Sequence, residues 1–530
     1  MLKLSKKSLL ATALALSLLI SSTGCAAGQT SASGQTSAAS QTPASSSHKP
    51  SAGGVFTYGR PASVTSFDLY TEITANNAFA IDKVFEPLVS FNKDGKIIDW
   101  LAQSHEVSKD GLTYTFVLHD GLKFSDGKSV TAKDAAFSIQ HHLTAGGPLA
   151  IDAKVASVTA KGDKTLIITL KQAFTPFLAE LANFSNGIVP ANFNGKTEKE
   201  FFKQPIGTGP FAVEKWDPAG DLTFTKNTYY WQKGKPAVDK LVFKLISDDT
   251  QALNQLTSGA VDAIESVPLE NVKELSQNPG TQVETNGSWV TEQLFFNTLD
   301  KNFSDIHVRR ALALAIDRNG LTNAVTFGYA KTANSLLPTT ITYNTNSTIK
   351  ALNYDVEAAK KELAQSKYPN GFSTKLLIAS GSSAVKQEAQ IIQAAGKAIG
   401  IDIQIESVEL ATFRERFFAY NYSMMINSGE ADFPDANSII AFQTDPNGFS
   451  KSYWTHYTNN TVTKLLAESQ TTADGPARGE IYSQIQQILA DEVPYIPLYY
   501  PDIVIAVRSG VTGLEVFPNG SVHFENTYVK

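Results

Sequence analysis

The 530 residues include a single cysteine, Cys25. One thiol allows no internal disulfide, and no paired Cys/His spacing is present that would close a structural zinc site. The fold must therefore rest on apolar burial and hydrogen bonding. The chain is equipped for that, with 42% hydrophobic and 18% charged residues. At about 150 residues per domain its length accommodates roughly three domains. The 30 Phe, 18 Tyr and 5 Trp either fill large cores or line pockets. A formal charge of −6, with no basic block beyond the first residues, argues against a nucleic-acid partner.

The position of the cysteine sets the compartment. Lys3, Lys6 and Lys7 precede an apolar run from Leu9 to Ile20, followed by Ser21, Ser22, Thr23, Gly24 and Cys25. This is the pattern of a secretory signal over residues 1–24, and its apolar run is too short for the roughly 20 residues of a spanning helix. The small residue before Cys25 resembles a bacterial lipobox, although Ser22 stands where leucine is usual. The resemblance implies that Cys25 is diacylated and becomes the new N-terminus. The alternative is ordinary cleavage, leaving a free thiol. From Ala26 to Ala52 nearly every residue is Ser, Thr, Ala, Gln or Gly, a composition that cannot offset the entropy of ordering by apolar burial. Residues 25–53 thus read as a lipidated cysteine and flexible tether, with an r.m.s. reach of about 30 Å. Loss of residues 1–24 removes three lysines and no acids, taking the formal charge from −6 to −9.

Strands and helices alternate along the body. Leu112, Tyr114, Phe116 and Leu118 recur at every second position, which predicts a half-buried strand between the Asp110-Gly111 and Asp120-Gly121 turns. Thr131 and Asp134 form a capping-box pattern for a helix running toward His142. Further strands are predicted over Thr165 to Leu170, Phe211 to Val213, Leu222 to Thr225, Leu241 to Ile246 and Ile401 to Glu406. Asp248 should cap the helix that follows. Ser304 is expected to cap a helix from Val308 to Asp317, and Tyr354 to Gln365 and Val385 to Ile399 read as amphipathic helices. The class is α/β with several lobes.

Motifs for chemistry are wanting. Gly207, Gly209 and Ala212 match G-x-G-x-x-A, but Pro205 and Pro210 flank them and a strand follows, so a nucleotide role is not expected. Gly127-Lys128-Ser129 lacks the P-loop's first glycine, Leu122 standing in its place. There is no H-E-x-x-H and no G-x-S-x-G. His141 and His142 point about 100° apart on a helix, which suits a solvated helix end better than a shared metal. Asp248 and Asp249 read as helix caps. No catalytic residue, metal site or cofactor is expected, and a secreted hydrolase is the disfavoured alternative.

Four separated stretches together resemble the family 5 extracellular solute-binding proteins, the receptors of bacterial ABC importers for oligopeptides, dipeptides or nickel. They are VFEPLV (Val84 to Val89) with Leu112 to Ile139; PIGTGPF (Pro205 to Phe211) with KNTYYW (Lys226 to Trp231); Leu294 to Arg318; and EADFPDAN (Glu430 to Asn437) with Tyr457 to Ser469 and Ile481 to Tyr500. The resemblance implies a periplasmic-binding-protein-like two-lobed clamp (type II, cluster C) with an extra inserted domain. Lobe I would comprise 54–85, 205–300 and 496–530, inserted domain II 86–204, and lobe III 301–495. The expected function is capture of a peptide between the lobes by hinge closure and delivery to a membrane permease. A monomer held at the outer face of the membrane by its lipid is implied. An oligosaccharide or a nickel chelate is the alternative ligand, and His456 is the histidine placed near the later segment.

For the site, the resemblance places Asp432 where peptide-binding members pair an aspartate with the ligand's α-ammonium; the other reading is a loop aspartate capping its own backbone. Glu430 supplies a second negative group or faces solvent. Asn76 and Asn77 match the lobe I segment bordering the cleft, and Asn297 and Phe295 lie at the crossing into lobe III. These bind an extended ligand, or serve turn chemistry and core packing. Trp289 and Trp454 are candidate pocket walls, whereas Arg309 and Arg310 read as structural. Family members usually carry tryptophan three positions before the aspartate. This chain has Gly429, a loss that would widen the pocket or accompany a ligand other than a standard peptide.

Overall fold

A computed structural model describes residues 52–71, 74–145, 154–448 and 450–529. The signal, Cys25 and nearly all of the tether lie outside the described residues. Among those described, no helix is long and apolar enough to cross a membrane.

A twelve-stranded mixed sheet forms the frame. At one end Val55–Arg60 pairs in parallel with Lys240–Leu245 and Ala263–Ile264, and Leu222–Lys226 and Phe211–Trp216 extend the edge in antiparallel fashion. At the other end Phe372–Ala379 lies parallel between Ile401–Val408 and Met424–Glu430. The 14-residue strand Tyr495–Arg508 joins the two. Its first half pairs with Val290–Phe296, its second with Thr281–Gly287 and Ala263–Ile264. A separate antiparallel sheet, in the order Ala102–Val107, Thr113–Leu118, Thr165–Leu170, Val155–Lys161, carries helix Ala132–Ala145.

Local chemistry accounts for these elements. In Thr113–Leu118 the side chains of Tyr114, Phe116 and Leu118 turn inward and the threonines outward, as the alternation predicts. The Thr131 N–H and hydroxyl both donate to the Asp134 carboxylate, at 2.8 and 2.7 Å. Asp248 caps Asp249–Ser258 by accepting from the Gln251 N–H at 2.7 Å. The amphipathic segments form Val356–Leu363, capped by Asp355, and Ser383–Ala398, capped by Ser382.

Two local expectations are corrected. The helix expected from Val308 runs Ile306–Ala315 and is capped by Asp305, which accepts from the His307 N–H at 3.0 Å. The Ser304 hydroxyl instead donates to the Lys301 carbonyl at 3.2 Å. His142 is not at a solvated helix end: it is fully buried, with Nδ1 2.8 Å from Asn186 Oδ1. His141, part-buried, lies 3.0 Å from a Glu198 carboxylate oxygen. The two rings hold different partners, and both pack against Tyr70, at 4.9 and 5.3 Å.

The G-x-G of residues 207–209 is a packing device. A Cβ on Gly207 would stand 1.9 Å from the Val84 carbonyl oxygen, and one on Gly209 2.4 Å from that of Lys83. Only glycine lets this segment clasp the end of helix Ala75–Val84. That clasp fixes the helix whose other face borders the functional cavity. The segments 86–204 and 431–472 also touch: Thr175 N donates to the Gln470 carbonyl at 2.8 Å, and Asn183 Nδ2 to the Asp432 carbonyl at 3.0 Å.

Candidate functional site

Helix Ala75–Val84, residues 86–91 and 182–184, the end of strand Met424–Glu430 and residues 517–521 converge on a cavity of about 370 Å³. Phe79, Phe91, Trp100 and Phe517 contribute aromatic surface, and Asn183 and Ser288 polar groups. Such a mixture of apolar wall and a few polar groups is what ligand sites present.

Glu430 and Asp432 are set into this cavity by a loop fastened at every point except their carboxylates. The Ala431 N–H donates to the Trp289 carbonyl at 3.1 Å, and the Asp432 N–H to Ser438 Oγ at 2.8 Å. Asp435 caps helix Ala436–Thr444, accepting from the Asn437 N–H at 2.7 Å. The same carboxylate receives the buried Arg478 in two bonds of 2.7 and 2.9 Å, a bidentate pairing that holds the loop's far end. Among the described residues nothing bonds to the Glu430 or Asp432 carboxylates. Both line the cavity, Asp432 half-buried and Glu430 exposed to it. Burial raises Asp432 to about 6. Burial, then repulsion from Asp432, raises Glu430 to about 7.

Four more acids line the cavity, and each is provided for. Glu265 takes Arg60 Nε at 2.6 Å, Asp82 takes Lys83 Nζ at 2.8 Å, and Glu525 lies 3.3 Å from His523 Nδ1. Although burial opposes it, His523 and Lys83 pull Glu525 down to about 2. Glu86 Oε1 accepts from Trp100 Nε1 at 2.8 Å and the Tyr230 hydroxyl at 2.9 Å, and Trp231 Nε1 approaches at 3.3 Å. Burial nonetheless lifts Glu86 to about 7. The sequence carries no signal for this group, because residues 82, 86, 265 and 525 come from three widely separated stretches of the chain. Glu86 alone lay inside a quoted stretch, VFEPLV.

Comparison with known proteins gives these features a context. The family model of bacterial extracellular solute-binding proteins, family 5 (middle region), matches residues 96–451. The chain belongs to this family. The glutathione-binding protein GsiB of Escherichia coli K12 is 27% identical over 483 residues, covering 88% of this chain and 92% of that protein. The periplasmic binding protein DppA of Helicobacter pylori, solved with the peptide STSA, superposes with a TM-score of 0.80 at 27% identity, covering 90% of this chain and 98% of that one. AgaA of A. tumefaciens R10, solved with agropinic acid, gives 0.79 at 27% identity, over 90% and 99%. The mixed α/β fold is that of the family's two-lobed clamp with an extra domain.

Within that clamp the other residues singled out from the sequence stand behind the cavity or away from it. Trp289 is fully buried with its ring 4.8 Å from Phe91, so it backs a cavity-lining residue. Asn77 is buried and its Oδ1 accepts from the Thr65 and Ser66 N–H groups at 2.9 and 3.3 Å; Asn76 gives its carbonyl to Arg60 Nη1 at 3.2 Å. Their helix neighbours Ala75, Ala78, Phe79 and Asp82 line the cavity instead. Asn297 Nδ2 donates to the Tyr420 and Tyr422 carbonyls, both at 3.1 Å. Phe295 packs edge-on against Tyr495 at 4.9 Å, and Trp454 against Phe418 at 4.8 Å. Arg309 is structural, giving its guanidinium to the carbonyls of Phe303, Glu492 and Val493. His456 stacks on Tyr420 at 3.8 Å, and no cluster of three metal-ligating side chains occurs among the described residues.

Gly429 does not widen the cavity. A Cβ there would meet Gln443 Nε2 at 1.7 Å and Gln293 Nε2 at 2.5 Å. Both glutamines are fully buried and fill the space a larger side chain would need.

Proposed function

We propose that the protein is the extracytoplasmic receptor of an ABC importer, which takes a peptide between two lobes, closes on it by hinge motion and presents it to the permease. One observation carries this reading: Glu430 and Asp432 offer two carboxylates without protein partners to a cavity walled by aromatic rings. A carboxylate enclosed by protein gains strongly from a charge-assisted bond to a cation that the ligand brings. The α-ammonium of a peptide is such a cation, and the peptide- and glutathione-binding relatives favour it. The protein acts by binding alone, as a monomer, without cofactor or chemistry. Residues 54–85, 205–300 and 496–530 form lobe I, 86–204 the inserted domain and 301–495 lobe III, an arrangement supported by the strand Tyr495–Arg508 running through both ends of the sheet. Residues 1–24 direct export, and diacylated Cys25 anchors the body to the membrane through the tether.

Native mass spectrometry of the purified protein tests the reading. A retained mass that fragments as peptide, and calorimetric binding of short peptides, is the expected result. Peptides that give neither heat nor a thermal shift, or that emerge cleaved, would overturn it. The bound agropinic acid of AgaA favours a second reading, a non-peptide solute, so thermal shifts with sugars and nickel chelates accompany the peptides. Palmitate labelling of the wild type but not Cys25→Ser in a producing cell checks the anchor.

A further inference from the structure

The charge balance of the cavity is uneven in a way that bears on which peptide it takes. Six acids line it: Asp82, Glu86, Glu265, Glu430, Asp432 and Glu525. Among the described residues no lysine or arginine does, and His523, the one basic ring in the wall, is held by Glu525 at 3.3 Å. The cations that stand behind the wall are already engaged. Arg60 and Lys83, each 1% exposed, are paired with Glu265 and Asp82. Glu86 is occupied by indole and phenol donors. What remains is two carboxylates without a counter-charge and no cation for a ligand's carboxylate.

Resting on the peptide reading above, we infer that the ligand brings two positive charges to this end of the cavity: a peptide with lysine or arginine first, its α-ammonium on Asp432 and its side-chain cation on Glu430. Asp432 lies two residues beyond the strand-end Glu430, in a bend, so their Cα atoms are at most about 7 Å apart. An α-ammonium and the side-chain cation of one basic residue can span that interval. The electrostatics agree. Two neighbouring carboxylates repel one another, and two ligand cations relieve that repulsion. A carboxylate-rich ligand would add negative charge to a wall that has none of its own cations to offer. Glutathione, with two carboxylates and one ammonium, therefore fits poorly, despite the resemblance to GsiB.

Calorimetry on the whole mature protein at neutral pH and physiological salt, with lysyl-alanyl-alanine, trialanine, N-acetyl-lysyl-alanyl-alanine, glutathione and cadaverine, tests the inference. The lysyl peptide should bind about 30-fold tighter than trialanine, the scale of a close charge pair across an interface. Acetylation should weaken it, and glutathione should bind weakest. In Glu430→Gln the ratio between lysyl peptide and trialanine should collapse toward one, while Glu430→Asp, a control for folding, keeps a preference. Equal affinity of the wild type for lysyl peptide and trialanine, or glutathione binding as tightly as the lysyl peptide, overturns the inference and leaves the peptide reading standing. Binding of cadaverine with no binding of any peptide overturns the peptide reading and keeps the demand for two cations. If no cationic ligand binds, both fall.

Discussion

Two pairs of carboxyl groups in this molecule are disturbed in the same direction and put to different ends. Glu292 sits at a bulge in the pairing of Val290–Phe296 with Tyr495–Arg508, opposite Tyr499. Glu388, fully buried on helix Ser383–Ala398, takes the Tyr499 hydroxyl at 2.6 Å. Burial pushes both above the ordinary carboxyl range, Glu388 adding to the lift of Glu292. Glu430 and Asp432 are lifted by the same cause but open onto a cavity. Glu388 is closed off and answered by one phenol, with the half-buried Glu292 beside it and outside that cavity, whereas Glu430 and Asp432 face a cavity with room for a ligand's cation. A perturbed carboxyl therefore marks a site only where there is space beside it for a partner.

Removing one member of each pair should expose the difference. Asp432→Ala is expected to weaken peptide binding by about 3–5 kcal/mol, the loss seen when one partner of an enclosed ion pair is removed, or roughly 150- to several-thousand-fold. Glu388→Gln should leave that affinity unchanged. Calorimetry on both variants decides; comparable losses would erase the distinction.

Acidity should separate the pairs next. A cation needs Asp432 and Glu430 ionised, and these sit at about 6 and about 7. Affinity for a lysyl peptide should accordingly rise by up to about 1,000-fold from pH 5 to pH 8, about tenfold through Asp432 and about a hundredfold through Glu430. The ligand-free fold moves the other way. Because both groups are raised above their unfolded values, their contribution to stability is full below the ordinary carboxyl range and is lost as pH climbs through 6 and 7. The thermal shift produced by peptide should therefore grow with pH, and a shift independent of pH would place the ligand elsewhere.

How much of this was legible beforehand follows from the range of the interactions. Elements set by neighbours were: the alternation of Thr113–Leu118, the Asp248 cap and the helix over Ser383–Ala398 all arise from residues within a few positions. Range is not the whole account: the cap expected at Ser304 falls to Asp305, although the Ser304 hydroxyl turns to the Lys301 carbonyl only three residues away. Asp432 was reachable through the motif around it. The cavity acids Asp82, Glu265 and Glu525 were not, because they come from stretches of the chain far apart in sequence. The filling of the space at Gly429 by Gln293 and Gln443 was equally hidden, as those glutamines arrive from another strand and a helix.

The pair of Glu292 and Glu388 can be relieved without touching the ligand. Glu292→Gln removes a group that must keep its proton to be comfortable, so it should stabilise the protein by about 1–2 kcal/mol in mildly alkaline solution and not at acid pH, where glutamate is already neutral. The sign follows from the raised value: stability is present when the group is protonated and is lost as pH rises through its titration. Thermal melts across pH check this, and peptide affinity should stay as in the wild type.

The smallest effect concerns how the open pair is held. Asn183 Nδ2 donates to the Asp432 carbonyl at 3.0 Å, reaching from the segment 86–204 to the loop of the cavity acids, while Asn183 Oδ1 accepts from the Ser185 N–H at 3.0 Å. Asn183→Ala removes one neutral hydrogen bond to that loop, worth about 1 kcal/mol. Peptide affinity should fall about fivefold through faster dissociation, since the carboxylate itself is intact and only its support is loosened. Stopped-flow displacement separates the rates. A fall in the association rate alone would mean that Asn183 meets the incoming ligand rather than bracing Asp432.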